Sequence, residues 1–253
     1  MKFRIDKPLQ KIEDRLKEAS HKDVYEQVFD RKTLLFIKKL INQGFIDTVD
    51  FPISTGKEGV VFRVTTPKGK FAALKIYRIT NATFNTIHKY IEGDRRFEGL
   101  KGNRQKIIYQ WTIKEFKNLR LLFDAKVHVP EPIKFLKNTL IMQYIGDEDA
   151  PAPLLYQIDL ENPAEILDII IEDMRKSYHT AHLIHGDLSE YNIMVKNGIP
   201  YMIDVSQGLL TNHYNADEFL TRDCYNIAKY FSKKYRLDIT PEKIKNAVLR
   251  NEE

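Results

Sequence analysis

Apolar and polar positions change period several times along this chain, and each change marks an element. Leu34, Ile37, Leu40 and Ile41 recur at the spacing of one helical face. Asp30 stands where a cap would accept backbone N–H groups, and Gly44 where a left-handed residue would end the helix. Residues 1–46 therefore read as helical. Over 51–77 the pattern turns strand-like, with Val60-Val61-Phe62-Arg63-Val64, a Pro67-Lys68-Gly69 turn and Phe71-Ala72-Ala73-Leu74-Lys75-Ile76-Tyr77. That is the pattern of antiparallel strands joined by tight turns.

Residues 81–106 show no clean period. They carry Lys89, Arg95, Arg96, Lys101, Arg104 and Lys106 against Glu92, Asp94 and Glu98, and read as a mobile basic loop. A helix is predicted from about 107 to 124, stopped before Val129-Pro130-Glu131-Pro132. Two strands follow, over 133–136 and 139–144, turning at Lys137-Asn138. Asn162-Pro163-Ala164-Glu165 combines a cap residue, a proline at the first helical position and a glutamate at the third, opening a helix to about His182. Strands over 193–195 and 201–203 pair across Asn197-Gly198, and helices from about Asp217 and Pro241 complete the pattern.

With 253 residues, 43% hydrophobic and 30% charged, the chain can bury a substantial core and has no compositional sign of extensive disorder. No apolar run approaches the roughly 20 residues of a membrane helix, and no apolar segment follows the charged N-terminus, so the expectation is a soluble, cytoplasmic protein. A single cysteine, Cys224, excludes an internal disulfide and a paired-thiol metal site. The histidines show no zinc spacing, and no transition-metal site is expected. A net charge of +5 permits contact with nucleic acid without requiring it.

The chemistry concentrates in His185-Gly186-Asp187-Leu188-Ser189-Glu190-Tyr191-Asn192 and in Ile203-Asp204-Val205. A carboxylate five residues before an amide, with a second carboxylate after an apolar run, can position a hydroxyl or water and hold magnesium on a nucleotide's phosphates. A polar turn between strands is the plainer reading of the same residues. Ser54-Thr55-Gly56-Lys57-Glu58-Gly59, continuing to Val61, fits the kinase phosphate-loop pattern with Ser in the first glycine position, although a hairpin turn uses the same residues. Lys57 lacks the spacing of a Walker A loop.

Strand alternation puts Phe71, Ala73, Lys75 and Tyr77 on one face. In the kinase template such a lysine grips the α- and β-phosphates, and the small residue two before it leaves room for adenine. Glu115 falls within the stripe Ile108, Trp111, Glu115, Leu119, Leu122, where a carboxylate needs compensation. Lys75 is the candidate partner; Lys114 or Lys117 at the helix rim are the alternatives.

Together these residues resemble the RIO family of atypical protein kinases, in particular the subfamily with an S-T-G-K-E loop and no winged helix. The resemblance spans about 28–235 and includes Ile203 through Gln207 and Arg222-Asp223-Cys224. It implies an α+β, bilobal protein-kinase-like fold with a small antiparallel-sheet N-lobe and a truncated, mainly helical C-lobe. The implied division is an N-terminal helical extension over 1–46, an N-lobe over 47–145 and a C-lobe over 146–253. It further implies ATP and Mg²⁺, with Mn²⁺ as an alternative, held under Ser54 to Gly59. Lys75 and Glu115 would be the ion pair, Gln143 and Ile145 the hinge groups to adenine, and Met142 would lie behind it. Asp187 would be the catalytic aspartate, and Asn192 and Asp204 the metal ligands, with Asp204 also open to phosphorylation.

The implied activity is a Ser/Thr protein kinase and ATPase acting in small ribosomal subunit maturation. Its partner would be a pre-ribosomal particle of protein and rRNA, and the chain a monomer or weak homo-oligomer. Three departures stand out. Gly59 replaces the usual Ala and is expected to loosen the phosphate loop slightly; Gly186 replaces the Arg of H-R-D; and no A-P-E motif follows Asp204, so the usual peptide-binding helices do not all fit. Two rivals share the motif: a small-molecule phosphotransferase of the aminoglycoside or choline kinase type, and a catalytically weak ribosome-assembly scaffold.

Overall fold

A computed structural model describes residues 30–79, 99–100 and 103–250. The helical reading of 1–29 and most of the basic loop lie outside these residues. The chain divides into two compact units. One takes the described residues up to Phe116 with Pro132–Tyr144; the other takes Lys117–Glu131 and the described residues from Ile145 onward.

The first unit opens with α1 (Arg31–Asn42), where Asp30 accepts the Thr33 N–H at 2.7 Å, and Gly44 follows at φ 75. Strands β1 (Thr48–Thr55), β2 (Gly59–Thr65), β3 (Phe71–Tyr77), β4 (Pro132–Leu136) and β5 (Thr139–Gln143) form an antiparallel sheet in the order β1-β2-β3-β5-β4. Alternation decides its faces. Val60, Phe62, Val64, Ala72, Leu74, Ile76 and Ile141 are buried in one cluster with Leu34, Ile37 and Leu40 of α1. The opposite face carries Val61, Ala73, Lys75 and Met142, because directly paired residues share a face and the register sets Val61 against Lys75 and Ala73 against Met142. At the β4–β5 turn Lys137 adopts φ 58, and the buried Asn138 donates to Thr33 Oγ1 and Tyr77 O, both at 3.0 Å, locking turn, helix and strand together.

Helix α2 (Arg104–Asp124) begins a turn earlier than its apolar period. Asn103 explains this: its side chain accepts the Lys106 N–H at 3.0 Å, a cap hidden within the basic run, so residues 104–106 belong to the helix and not to a loop.

In the second unit, α3 (Pro163–His179) has the expected first proline, but Asn162 makes no side-chain capping bond. Its backbone, at φ −123 and ψ 73, departs from the extended geometry that aims a cap side chain at the first turn. The helix also stops before His182, which turns the chain at φ 51 into β6 (Leu183–Ile184). Strand β6 pairs with β9 (Leu209–Leu210), and β7 (Ile193–Lys196) with β8 (Ile199–Met202) across Asn197 and Gly198, both at positive φ. Helices α4 (Ala216–Tyr235) and α5 (Pro241–Leu249) pack with α3, burying Ile227, Phe231, Ile244 and Val248. Beneath them His128 Nδ1 lies 2.9 Å from the buried Asp173, and Met202 N–H donates to His128 O at 2.9 Å, joining the stretch after α2 to α3 and β8.

Candidate phosphotransfer site

In the sheet unit, Lys75 Nζ lies 2.7 Å from Glu115 Oε1, with the two side chains only 9% and 1% exposed. Glu115 Oε2 accepts the hydroxyl of Tyr77, the next residue on the same face of β3. Glu115 is thus compensated by strand residues. Lys114, by contrast, lies 4.7 Å from the Trp111 ring centroid.

Ser54 and Thr55 end β1, paired with Val61 and Val60 of β2, and are exposed, as are Gly56 and Lys57 in the β1–β2 turn; Glu58 and Val61 are half-buried. The turn closes through Gly56 N–H to Gly59 O at 2.9 Å. Gly59 has a packing role. A Cβ there would sit 2.3 Å from Ile76 O of β3, so its absence lets the two strands approach closely. Gln143, at the end of β5, is exposed and Met142 half-buried. Ile145 belongs to the other unit, is buried, and its carbonyl accepts the Ala152 N–H at 2.9 Å.

In the helical unit the H-G-D loop is held from several sides. His185 is 5% exposed; its Nε2 lies 3.0 Å from Ile203 O, while Asp187 N–H donates to Nδ1 at 3.3 Å. Those bonds suit the neutral Nε2-protonated ring, and burial pushes its pKa down. Gly186 adopts φ 80, where a Cβ would press on Leu209, Gln207 and Phe219 at 3.1–3.3 Å, so any side chain here would be strained. A guanidinium comes from elsewhere: Arg222 of α4 donates to Gly186 O.

Asn192 Nδ2 donates to Asp187 O at 2.8 Å and approaches its Oδ2 at 3.3 Å, leaving the amide oxygen for another partner. Burial, followed by the neighbouring charge of Asp204, raises the Asp187 pKa. Asp204 sits at φ 59 and ψ 57, and its Oδ1 accepts the Ser206 hydroxyl at 3.0 Å. Two carboxylates that repel each other beside an amide oxygen make a hard oxygen donor set, and this fits Mg²⁺.

The supporting roles of two residues escaped the sequence reading. Asn118 Nδ2 donates to Val205 O at 2.8 Å and Gly208 O at 3.3 Å, pinning the turn after Asp204. Asp223 accepts Gly186 N–H at 2.8 Å and Leu188 N–H at 2.9 Å. A buried amide beside the apolar stripe of α2, and an acidic residue amid the buried face of α4, were the available signals.

The antiparallel sheet with its lysine–glutamate pair, followed by a helical unit carrying the Asp187 and Asp204 loops, defines an α+β protein-kinase-like fold. A RIO domain matches residues 60–244. The chain is 40% identical over 231 residues to the RIO-type serine/threonine-protein kinase Rio1 of Haloferax volcanii, covering 91% of this chain and 79% of that protein. It is 39% identical over 223 residues to human serine/threonine-protein kinase RIO1, covering 87% of this chain and 39% of that one. In fold it is similar to the Rio2 kinase ADP/Mg²⁺-phosphoaspartate complex from Chaetomium thermophilum, with a TM-score of 0.67 and 24% identity over 87% of this chain and 67% of that one. The chain belongs to the RIO family of atypical protein kinases, which sets aside the aminoglycoside and choline kinase reading.

Proposed function

We propose that this chain transfers the γ-phosphate of ATP to serine or threonine, its own included, and also hydrolyses ATP, acting during maturation of the small ribosomal subunit in the cytoplasm. The observation that carries the chemistry is the Asp187–Asn192–Asp204 cluster. Within one unit, an aspartate of raised pKa accepts from the amide of Asn192 and feels the charge of a second aspartate. Asp187 orients the acceptor hydroxyl and takes its proton as the oxygen bonds to the γ-phosphorus and the bond to ADP breaks. Asn192 and Asp204 would hold Mg²⁺, which would supply positive charge against that developing on the phosphate oxygens. Lys75, oriented by Glu115, grips the α- and β-phosphates; Ser54 to Gly59 cover them; Val61 and Ala73 face adenine, Met142 lies behind it, and Gln143 and Ile145 are the hinge groups.

In this reading Asp204 also accepts phosphate. Attack by its carboxylate oxygen on the γ-phosphorus yields an acyl phosphate and ADP, and water then cleaves it, which accounts for ATPase turnover. The ribosomal assignment rests on family resemblance and a net charge of +5.

The deciding assay incubates the protein with Mg²⁺ and ATP labelled on the γ-phosphate. The expected result is protein-bound label or released phosphate, both lost in Lys75→Ala and Asp204→Asn. Label removed by hydroxylamine is acyl phosphate; label that resists it is on serine or threonine. ATP binding with neither product would support the scaffold reading instead.

A further inference from the structure

A groove of about 670 Å³ opens in the helical unit beside the catalytic loop. Ser189, Glu190 and Tyr191, the residues between Asp187 and Asn192, form one wall, and Asn226, Lys229 and Lys233 of α4 form the other. Spaced i, i+3 and i+7, those three lie on one helical face. Tyr230 closes the floor, its hydroxyl donating to Leu155 O at 2.7 Å. The neighbouring Lys234 is committed to Asp159 at 3.0 Å and Ile158 O at 2.6 Å. Lys229 and Lys233 are exposed and enter no ion pair among the described residues; Lys229 only lies over the Tyr225 ring at 5.6 Å. The nucleotide chemistry proposed above uses neither.

We infer that this groove receives the acceptor segment of a protein substrate, and that Lys229 and Lys233 select acidic residues flanking the phosphorylated serine or threonine. The inference rests on the phosphotransfer reading and adds a substrate class to it. Position supports it, because the chain bearing the acceptor hydroxyl must pass the loop that carries Asp187, and this wall is that loop. The wall is also fixed in place, since Asn226 Nδ2 donates to Leu188 O at 3.0 Å and so anchors the loop to α4.

Charge narrows the partner. Two uncommitted ammonium groups one helical turn apart match one or two carboxylates. A nucleic acid, with a phosphate at every residue, calls for a longer basic track than two lysines. The chemistry is the same as above: the substrate hydroxyl oxygen bonds to phosphorus, the bond to ADP breaks, and the proton passes to Asp187.

The test reads binding without turnover, so its outcome is separate from that of the labelled-ATP assay. Two fluorescent peptides of equal length carry a central serine flanked by glutamates in one and glutamines in the other, and anisotropy is measured on the full chain at low salt. The glutamate peptide is expected to bind roughly ten-fold tighter. Lys229→Gln with Lys233→Gln, a mild change at exposed positions, should bring the two peptides level at unchanged melting temperature. Lys229→Glu with Lys233→Glu should favour a third peptide with lysines in the flanking positions. Equal binding of the first two peptides by the unaltered chain overturns the inference. So does a single-stranded RNA oligonucleotide that binds in place of the glutamate peptide and is lost on charge reversal.

Discussion

Lys75 and Glu115 meet at 2.7 Å with both side chains withdrawn from solvent, although 40 positions separate them. Removing one partner from a buried pair costs about 3 kcal/mol or more, because the charge left behind loses compensation, whereas neutralising both is far cheaper. Lys75→Met is therefore expected to lower the melting temperature by several degrees and to abolish ATP turnover. Adding Glu115→Gln, which still accepts the Tyr77 hydroxyl, should restore most of the melting temperature and none of the turnover. Recovery of turnover in the double variant would remove Lys75 from phosphate binding.

Gly59 and Gly56 bracket the same turn but differ in what surrounds them. A methyl at Gly59 meets Ile76 O at 2.3 Å, a backbone atom that moves only if the β2–β3 pair shifts; a methyl at Gly56 meets only Gly59 O at 3.8 Å. Gly59→Ala should cost about 1–3 kcal/mol and Gly56→Ala well under 1 kcal/mol. Urea unfolding of the two variants checks this, and equal losses would contradict it.

Asn118 holds two carbonyls of the turn that follows Asp204. Outer groups that orient a metal ligand typically change metal affinity by about 10–100-fold when removed. Asn118→Ala should raise the Mg²⁺ concentration needed for half-maximal turnover by about ten-fold while leaving the maximal rate at saturating Mg²⁺ within a few-fold. A loss of maximal rate with unchanged Mg²⁺ demand would assign Asn118 a purely structural role.

What could be foreseen from residues alone follows from the range of the interactions involved. The α1 cap at Asp30 and the buried stripe through Glu115 are local patterns and appear as expected, and the strand register puts Lys75 on the face of Val61 and Ala73, although β3 is buried on both faces. Asn162 misled because its backbone, not its residue type, decides whether it caps. The early start of α2 was hidden because Asn103 sits among lysines and arginines with no apolar period. Asn118 and Asp223 serve carbonyl and N–H groups 35–90 residues away, and position on a helix says nothing about which loop will lie against it. Asp204 adopts a left-handed conformation that non-glycine residues seldom take, so propensity gave no warning.

Asp223 connects catalytic-loop geometry to pH. Burial pushes its pKa up to about 7, against two backbone N–H donors that favour the carboxylate. Between about pH 4, where the unfolded chain loses this proton, and pH 7, the folded chain retains it; the folded state then binds more protons, and stability falls as pH rises. His185 works in the opposite sense. Its pKa is lowered in the folded state, so its contribution is lost as pH falls below about 6.5. Asp223→Asn isolates the first effect, because an amide does not titrate. The variant should be weaker by about 1–3 kcal/mol, since its NH₂ group faces one of the two N–H donors it ought to accept. Relative to this variant, the unaltered chain should lose stability, on the order of a few kcal/mol, between pH 5 and pH 8 in urea unfolding. Parallel curves would mean that Asp223 is ionised throughout, with the Gly186 and Leu188 N–H groups and Arg222 outweighing its burial.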